Sequence, residues 1–372
     1  MLKLVRRPQL VVFFICCFYL SANVSFAQDS AVSRNVILFI GDGMGLSHVV
    51  AAYTVNKGNL NMMKFPFTGF SKTSSASGYI TDSGAGASAM ACGKKTYNGA
   101  IGVDSNVFPC KTILEYAEGN GLSTGLIATS SITHATPASF IAHQKNRNLH
   151  ENIALDFLKT DIDVFIGGGS HYFTRRSDSA DLVNQLKAKG YDVFLSPAFF
   201  NLKNSGKAAV FTAPDDNPRF SEGRGNMLPD ATEKAIELLR INKKGFFLMV
   251  EGSQIDWGGH DNDINYVVEE LTDMDNAIGK ALAFAKRDSN TLVVVTSDHE
   301  TGGLVVIDGN PEAGTVEVKF STTGHTGMMV PVFAYGPGAE NFSGVYENTS
   351  VFYKMMSFFN FTDPWVSLTQ SK

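Results

Sequence analysis

The chain has 372 residues, of which 44% are hydrophobic and 18% charged, with a formal net charge of -5. That length holds one large domain or two modest ones, with enough apolar side chains for a sizeable core. A mildly acidic chain argues against nucleic acid or an anionic membrane surface as the principal partner.

The first segment, 1–27, reads as a secretory signal peptide. Lys3, Arg6 and Arg7 give a basic start, and Leu10 to Leu20 an apolar run too short to span a bilayer. Ser25 and Ala27 then supply a small-x-small cleavage site. The expectation is a periplasmic or secreted chain, 28–372, with no membrane attachment once the leader is removed. Cys16 and Cys17 fall in the leader. Cys92 and Cys110 remain, and either pair as a disulfide or stay as two buried thiols.

Downstream, apolar β-rich runs alternate with helical patterns. Strands are predicted at 36–40, 125–128, 164–166, 246–250, 292–296 and 332–335, and helices at 230–240 and 264–286. Continuous apolar strands separated by helices imply a buried, mostly parallel sheet with helices on both faces. One α/β domain is expected, with the less regular stretch at about 177–227 as an insertion. Three of the strands run into an acidic residue: Asp42, Glu251 and Asp298. Ligands of open α/β sheets bind at the carboxyl ends of strands. Carboxylates gathered there repel one another unless cations join them.

Taken in order, the segments that carry chemistry each admit two readings. Gly41-Asp42-Gly43-Met44-Gly45 is either a tight turn with a capping aspartate or a ligand loop whose glycines allow close approach. Thr81 to Ala89 reads as a helix start. Ser83 there is either a cap or a nucleophile placed where free N–H groups favour an anion. In 256–260 the two glycines argue against a regular helix, so a loop is expected to present Asp256 and His260. Asp298-His299 and a His325 set between glycines complete a mixed oxygen and imidazole set suited to zinc and similar divalent ions.

The segments 41–45, 81–89, 133–147, 250–261 and 296–303, followed by His325, resemble in order and composition the alkaline phosphatase family. The resemblance runs from about 35 to 338. It implies a three-layer sandwich around a mostly parallel sheet, hydrolysis of small phosphate monoesters through a phosphoserine, and a homodimer. Two zinc ions and a third ion, usually magnesium, are implied as cofactors. Asp256, His260 and His325 match the ligands of the first zinc. Asp42, Asp298 and His299 match those of the second, with Ser83 facing it as nucleophile. Asp42 would bridge to a third site completed by Thr136 and Glu251. Arg147 matches the arginine that clamps phosphate, and Asp82 the residue that holds that arginine.

Two positions depart from the best-known bacterial pattern. His134 stands where that pattern has an aspartate, and Trp257 where it has a lysine. His134 either ligates the third ion, favouring softer metals than magnesium, or touches it through water. Trp257 can add no charge and is read as an apolar wall of the substrate site. Competing readings are a phosphodiesterase or sulfatase of the same superfamily, or an exported protein that binds metal or phosphate without catalysis. His48, His143, His150 and His171 are read as structural.

Overall fold

Strands rich in Val, Ile, Leu and Phe leave no polar face, so both sides of the sheet they form must be covered. The computed structural model describes residues 34–197 and 206–362; the leader read over 1–27, with Cys16 and Cys17, lies outside them. The strands are β1 (Arg34–Gly41), β2 (Phe67–Lys72), β3 (Ser123–Ser131), β4 (Val164–Gly168), β5 (Tyr191–Phe194), β6 (Lys207–Phe211) and β7 (Gly245–Gly252). They continue with β8 (Thr291–Thr296), β9 (Glu300–Thr301), β10 (Val305–Asn310), β11 (Thr315–Lys319), β12 (His325–Thr326), β13 (Val330–Tyr335) and β14 (Gly344–Glu347). The α-helices begin with α1 (Leu46–Val55), α2 (Ser83–Cys92), α3 (Ile113–Gly119), α4 (Ala135–Ala138), α5 (His150–Asp156) and α6 (His171–Thr174). The rest are α7 (Leu182–Ala188), α8 (Met227–Leu239), α9 (Gln254–His260), α10 (Ile264–Arg287) and α11 (Thr349–Phe359).

Ten strands form one sheet in the order β14-β2-β13-β8-β1-β7-β3-β4-β6-β5. Among its described strands, β13 alone runs against its neighbours, β2 and β8; the other pairings are parallel. Alternation along β1 sorts its side chains to two sides. Val36, Leu38 and Ile40 join a core with Met90 of α2, Ile113 of α3, Ile153 of α5 and Phe352 of α11. Ile37 and Phe39 join a second core with Val49 of α1, Ile236 of α8, and Leu271 and Ile278 of α10. The result is the three-layer α/β sandwich expected from the strand patterns.

This order also fixes the place of the site. β1 and β7 lead on to β2 and β8 on one side of the sheet while β3 leads to β4 on the other, and the binding crevice of such sheets lies at the carboxyl ends where the direction changes. Ile40 pairs with both Glu251 and Thr296 across the two neighbours. That register alone brings Asp42, Glu251 and Asp298 to one end.

Within 177–227, β5 and β6 extend one edge of the sheet, and a buried arginine anchors the segment that follows. Arg224 Nη1 donates to Glu270 Oε1 at 3.1 Å and Nη2 to Asp273 Oδ2 at 2.9 Å, with both acceptors on α10. All three side chains are at most 1% exposed. Removing the cation leaves two carboxylates buried and uncompensated. Arg224→Ala is therefore expected to cost about 3–5 kcal/mol of stability, read as a lower urea midpoint at unchanged slope. A shift under about 1 kcal/mol would contradict a structural role for this triad.

Candidate active site

Each functional side chain is delivered by the end of a strand or the start of a helix. Asp42 follows β1 directly. Its neighbour Gly43 has φ +72°, and a Cβ there would stand 2.7 Å from the Asp256 Cα, so both backbone conformation and space require glycine. The turn closes on the residues that follow the neighbouring β8, with the Gly43 amide donating to Asp298 Oδ1 at 3.2 Å.

Ser83 is the first residue of α2 and is 2% exposed. The cap is supplied by Asp82, whose Oδ1 accepts from the Ala85 amide at 3.0 Å. Ser83 Oγ is thereby free of capping duty. It lies 3.4 Å from Asp42 Oδ1 and 3.3 Å from His299 Nε2. Small residues in the first turns of α2 allow this approach: a Cβ on Gly86 would meet Asp298 at 3.1 Å.

The reading of 256–260 as a loop is corrected: Asp256 and His260 lie on α9, one turn apart. The glycines between them are packing requirements. A Cβ on Gly258 would meet the Val267 backbone nitrogen at 2.8 Å, and one on Gly259 the Thr301 carbonyl oxygen at 2.9 Å. Tertiary contact with α10 and β9 outweighs the roughly 1 kcal/mol per glycine that helix propensity loses.

Three groups of ligand atoms converge. His260 Nε2 is 3.3 Å from Asp256 Oδ2, His325 Nε2 is 3.5 Å from Asp256 Oδ1, and the two Nε2 atoms are 3.2 Å apart. His299 Nε2 is 3.4 Å from Asp42 Oδ1 and 3.3 Å from Asp298 Oδ2. Such separations match the edge of a tetrahedron about an ion bound at about 2.0–2.1 Å. The outer ring nitrogens are tied back: His260 Nδ1 to the Thr323 carbonyl at 2.5 Å and His325 Nδ1 to the Thr81 carbonyl at 2.9 Å. That bond fixes the tautomer and aims Nε2 inward, as at metal sites generally.

The third group comprises Asp42, His134 and Glu251, each offering one ligand atom within 4.8 Å of the others. Thr136 Oγ1 lies 3.5 Å from Asp42 Oδ2. Glu251 Oε2 accepts from Ser253 at 2.6 Å and Ser130 at 3.4 Å. Glu251 Oε1, His134 Nδ1 and Asp298 Oδ2 are buried without a hydrogen-bond partner. Orphaned buried acceptors such as the two carboxylate oxygens cost free energy unless something unseen pairs with them, and cations fit both.

The electrostatics point the same way. Burial, then Asp298, Asp256 and Glu251, pushes the Asp42 carboxyl well above its ordinary range. Burial is also the main cause that raises Glu251 to about 8. Burial lowers His299, and takes His134 to about 3 with help from Arg147. Asp256 instead raises His260 to about 9, a carboxylate–imidazole pair whose proton a bound cation would displace. Four buried carboxylates thus lie together with imidazoles, a donor set complementary to dications.

Arg147 completes the crevice. Its Nη1 donates to Asp82 Oδ2 at 2.9 Å, its Nη2 is 3.4 Å from His134 Nε2, and its amide donates to the Gly99 carbonyl at 2.8 Å. Trp257 sets its ring edge-on to His134 at 6.3 Å. Every site residue singled out in the sequence is thus brought to this one end of the sheet. The sequence reading missed the outer hydrogen bonds: Ser130, Ser253, Thr301 and the Thr81 and Thr323 carbonyls. Thr301 Oγ1 donates to Asp256 Oδ1. Such groups carry no sequence signal, because Ser, Thr and backbone carbonyls occur everywhere.

Comparison with known proteins supplies the family. A model described as alkaline phosphatase matches residues 33–319 and 313–361. The chain is 36% identical to alkaline phosphatase 4 of Bacillus subtilis, covering 87% of this chain and 88% of the relative. It is 31% identical to the alkaline phosphatase of Escherichia coli K12, covering 87% and 85%. A solved TAB5 alkaline phosphatase mutant with magnesium bound in its M3 site aligns with a TM-score of 0.84 and 44% identity, covering 90% of this chain and 99% of that one. On the strength of matches along nearly all of its described length, the chain belongs to the alkaline phosphatase family of phosphate monoester hydrolases.

Proposed function

We propose that this protein hydrolyses small phosphate monoesters through a phosphoserine formed on Ser83. The observation that supports this most is the position of Ser83 Oγ, uncapped at a helix start and within 3.4 Å of both Asp42 and His299. Asp256, His260 and His325 would hold one zinc, and Asp42, Asp298 and His299 a second. Asp42, Thr136 and Glu251 would hold a harder ion such as magnesium, with His134 beside it. Bound cations supply charge: they neutralise the buried carboxylates, lower the pKa of a hydroxyl and stabilise developing oxyanions.

The chain's own residues do the rest. Arg147 offers two N–H groups to two phosphate oxygens, and Asp82 holds its guanidinium in place from the far side. The free amides at the start of α2 add a favourable field for the anion. Ser83 Oγ forms a bond to phosphorus as the ester P–O bond breaks and the alcohol leaves. Water then cleaves the Ser83 phosphoester, releasing inorganic phosphate and restoring the hydroxyl. Trp257 and His134 wall the side where an aspartate and a lysine are absent.

The test compares rates on an aryl phosphate monoester, the matching diester and the matching sulfate, with an acid quench to trap the intermediate. A phosphate on the peptide containing Ser83, and fastest turnover of the monoester, are expected. Faster diester or sulfate turnover would overturn the reading. Arg147→Ala should weaken inhibition by inorganic phosphate by roughly 10–100-fold, the worth of a lost charged hydrogen-bond pair. An unchanged inhibition constant would remove Arg147 from phosphate binding. The leader at 1–27 and a dimeric state are part of the same proposal. N-terminal sequencing of the exported protein and sedimentation of the purified one check them.

A further inference from the structure

One face of α2 is turned to a single loop. Gly84, Ser88 and Cys92 recur four residues apart, the spacing that aligns side chains on one side of a helix. The segment 99–110 covers that face. A Cβ on Gly84 would stand 2.8 Å from the Ala100 carbonyl oxygen, and Ser88 Oγ accepts from the Gly102 amide at 2.9 Å. At the third position Cys92 Sγ donates to the Cys110 carbonyl oxygen at 3.4 Å, while Cys110 Sγ donates to the Phe108 carbonyl oxygen at 3.7 Å. Both cysteines are buried. Nothing in the hydrolytic reaction uses them, and no metal-ligand group among the described residues contains sulfur.

Two buried cysteines placed this way, one sulfur against the other residue's backbone, are either inert filler or a bridge in its reduced form. Their environments differ in the way an attacking thiol and its partner differ. The neighbouring Cys92 side chain brings the Cys110 thiol down to about 7, with Lys94 and His143 nearby adding to the effect. Cys92, beside Cys110 and buried in the core, is pushed well above the ordinary thiol range. A thiolate-ready sulfur beside a protonated one is the arrangement from which exchange proceeds. The loop tip that leads to Cys110 is open, with Val107 and Phe108 exposed to solvent.

We propose that Cys92 and Cys110 are a dithiol site that closes to a disulfide, tethering the carboxyl end of the Ser83 helix to the 99–110 loop. A low-molecular-weight disulfide such as oxidised glutathione is the oxidant. The Cys110 thiolate attacks one glutathione sulfur and expels the other half as a thiolate. Cys92 gives its proton to solvent, attacks Cys110 Sγ in the mixed disulfide, and expels the second glutathione. Two protein thiols are oxidised and one glutathione disulfide is reduced to two thiols. At its other end the loop is anchored to the site without the tether: the Gly99 amide donates to Asp82 Oδ1 at 3.0 Å, and the Gly99 carbonyl accepts from the Arg147 amide at 2.8 Å. A cross-link 18 positions long acts mainly on the unfolded chain, so its effect falls on unfolding and not on turnover.

The experiment uses the metal-loaded protein equilibrated in glutathione buffers of graded ratio, quenched in acid, denatured and alkylated. In oxidising buffer the expected result is no alkylation of Cys92 or Cys110, and an intact mass lower by two hydrogens. Reduction should lower the melting temperature by several degrees. The double variant Cys92→Ala, Cys110→Ala should show no such shift, which also controls for metal stripping by the reductant. Its turnover at room temperature should stay within about twofold of the parent. Two alkylated thiols at every ratio would overturn the proposal. So would a stable glutathione adduct, or a reductant-induced shift no larger than that of the double variant.

Discussion

Ser83→Ala is expected to lower turnover of an aryl phosphate by roughly three to six orders of magnitude while leaving the fold intact. The first half follows from the loss of the atom that would bond to phosphorus, since removing a nucleophile that works with a preorganised site costs this much in other hydrolases. The second half follows from local structure. Asp82, not Ser83, caps α2, so no helix-terminal amide loses its partner. Alanine is the better helix former, and the deleted hydroxyl makes no bond to the backbone. Stability should therefore change by no more than about 0.5 kcal/mol. Steady-state rates on the purified variant, beside its melting curve, decide the matter. Turnover within tenfold of the parent would assign the nucleophile elsewhere, and a collapsed melting temperature would show Ser83 to be structural.

The contrast between Asp82 and Ser83 shows how far residues can be read without coordinates. In the sequence, capping and catalysis were the two readings of Ser83, with Asp82 holding the arginine. In the structure each takes one part, and Asp82 takes two: one oxygen caps the helix and the other holds Arg147. The central strands were legible because β1, β7 and β8 are buried on both faces, and such strands read as unbroken apolar runs. Their acidic termini were legible for the same reason, as abrupt polar stops. The edge strands were not. β2, with the sequence FTGFSK, and β14, with GVYE, are short and half-exposed, so neither alternation nor an apolar run marks them. α9 was misjudged because propensity is local. The reason its glycines are tolerated, contact with Val267 and Thr301, comes from residues that the fold brings back from 9 and 42 positions away. The aiming of His260 and His325 by distant carbonyls was unreadable on the same ground.

Removing the metals is expected to abolish activity and also to destabilise the protein markedly. Asp42, Glu251, Asp256 and Asp298 are all buried at the ends of adjacent strands and on α9. Arg147, the described cation that faces the crevice, is already engaged by Asp82. Without dications, repulsion among these carboxylates and the orphaned oxygens of Glu251 and Asp298 must be borne by the fold. An ion held a thousandfold above its dissociation constant adds about 4 kcal/mol of stability per site, so two tight sites lost together amount to the order of 8 kcal/mol. For a domain of this size that is on the order of 10–20 °C in melting temperature. Dialysis against a chelator, metal analysis to confirm depletion, and calorimetry before and after zinc return provide the measurement. A fully depleted protein that melts where the loaded one does would contradict the idea that these side chains form cation sites. The Ser83→Ala variant separates the two halves of the prediction. It should keep the full chelator-induced shift, because its carboxylates and imidazoles are intact, although it turns over almost no substrate. Asp256→Ala should lose part of the shift, because the group it shares with His260 and His325 can no longer hold an ion. If instead both variants shift equally, Asp256 binds no metal, and the helix that carries it serves packing alone.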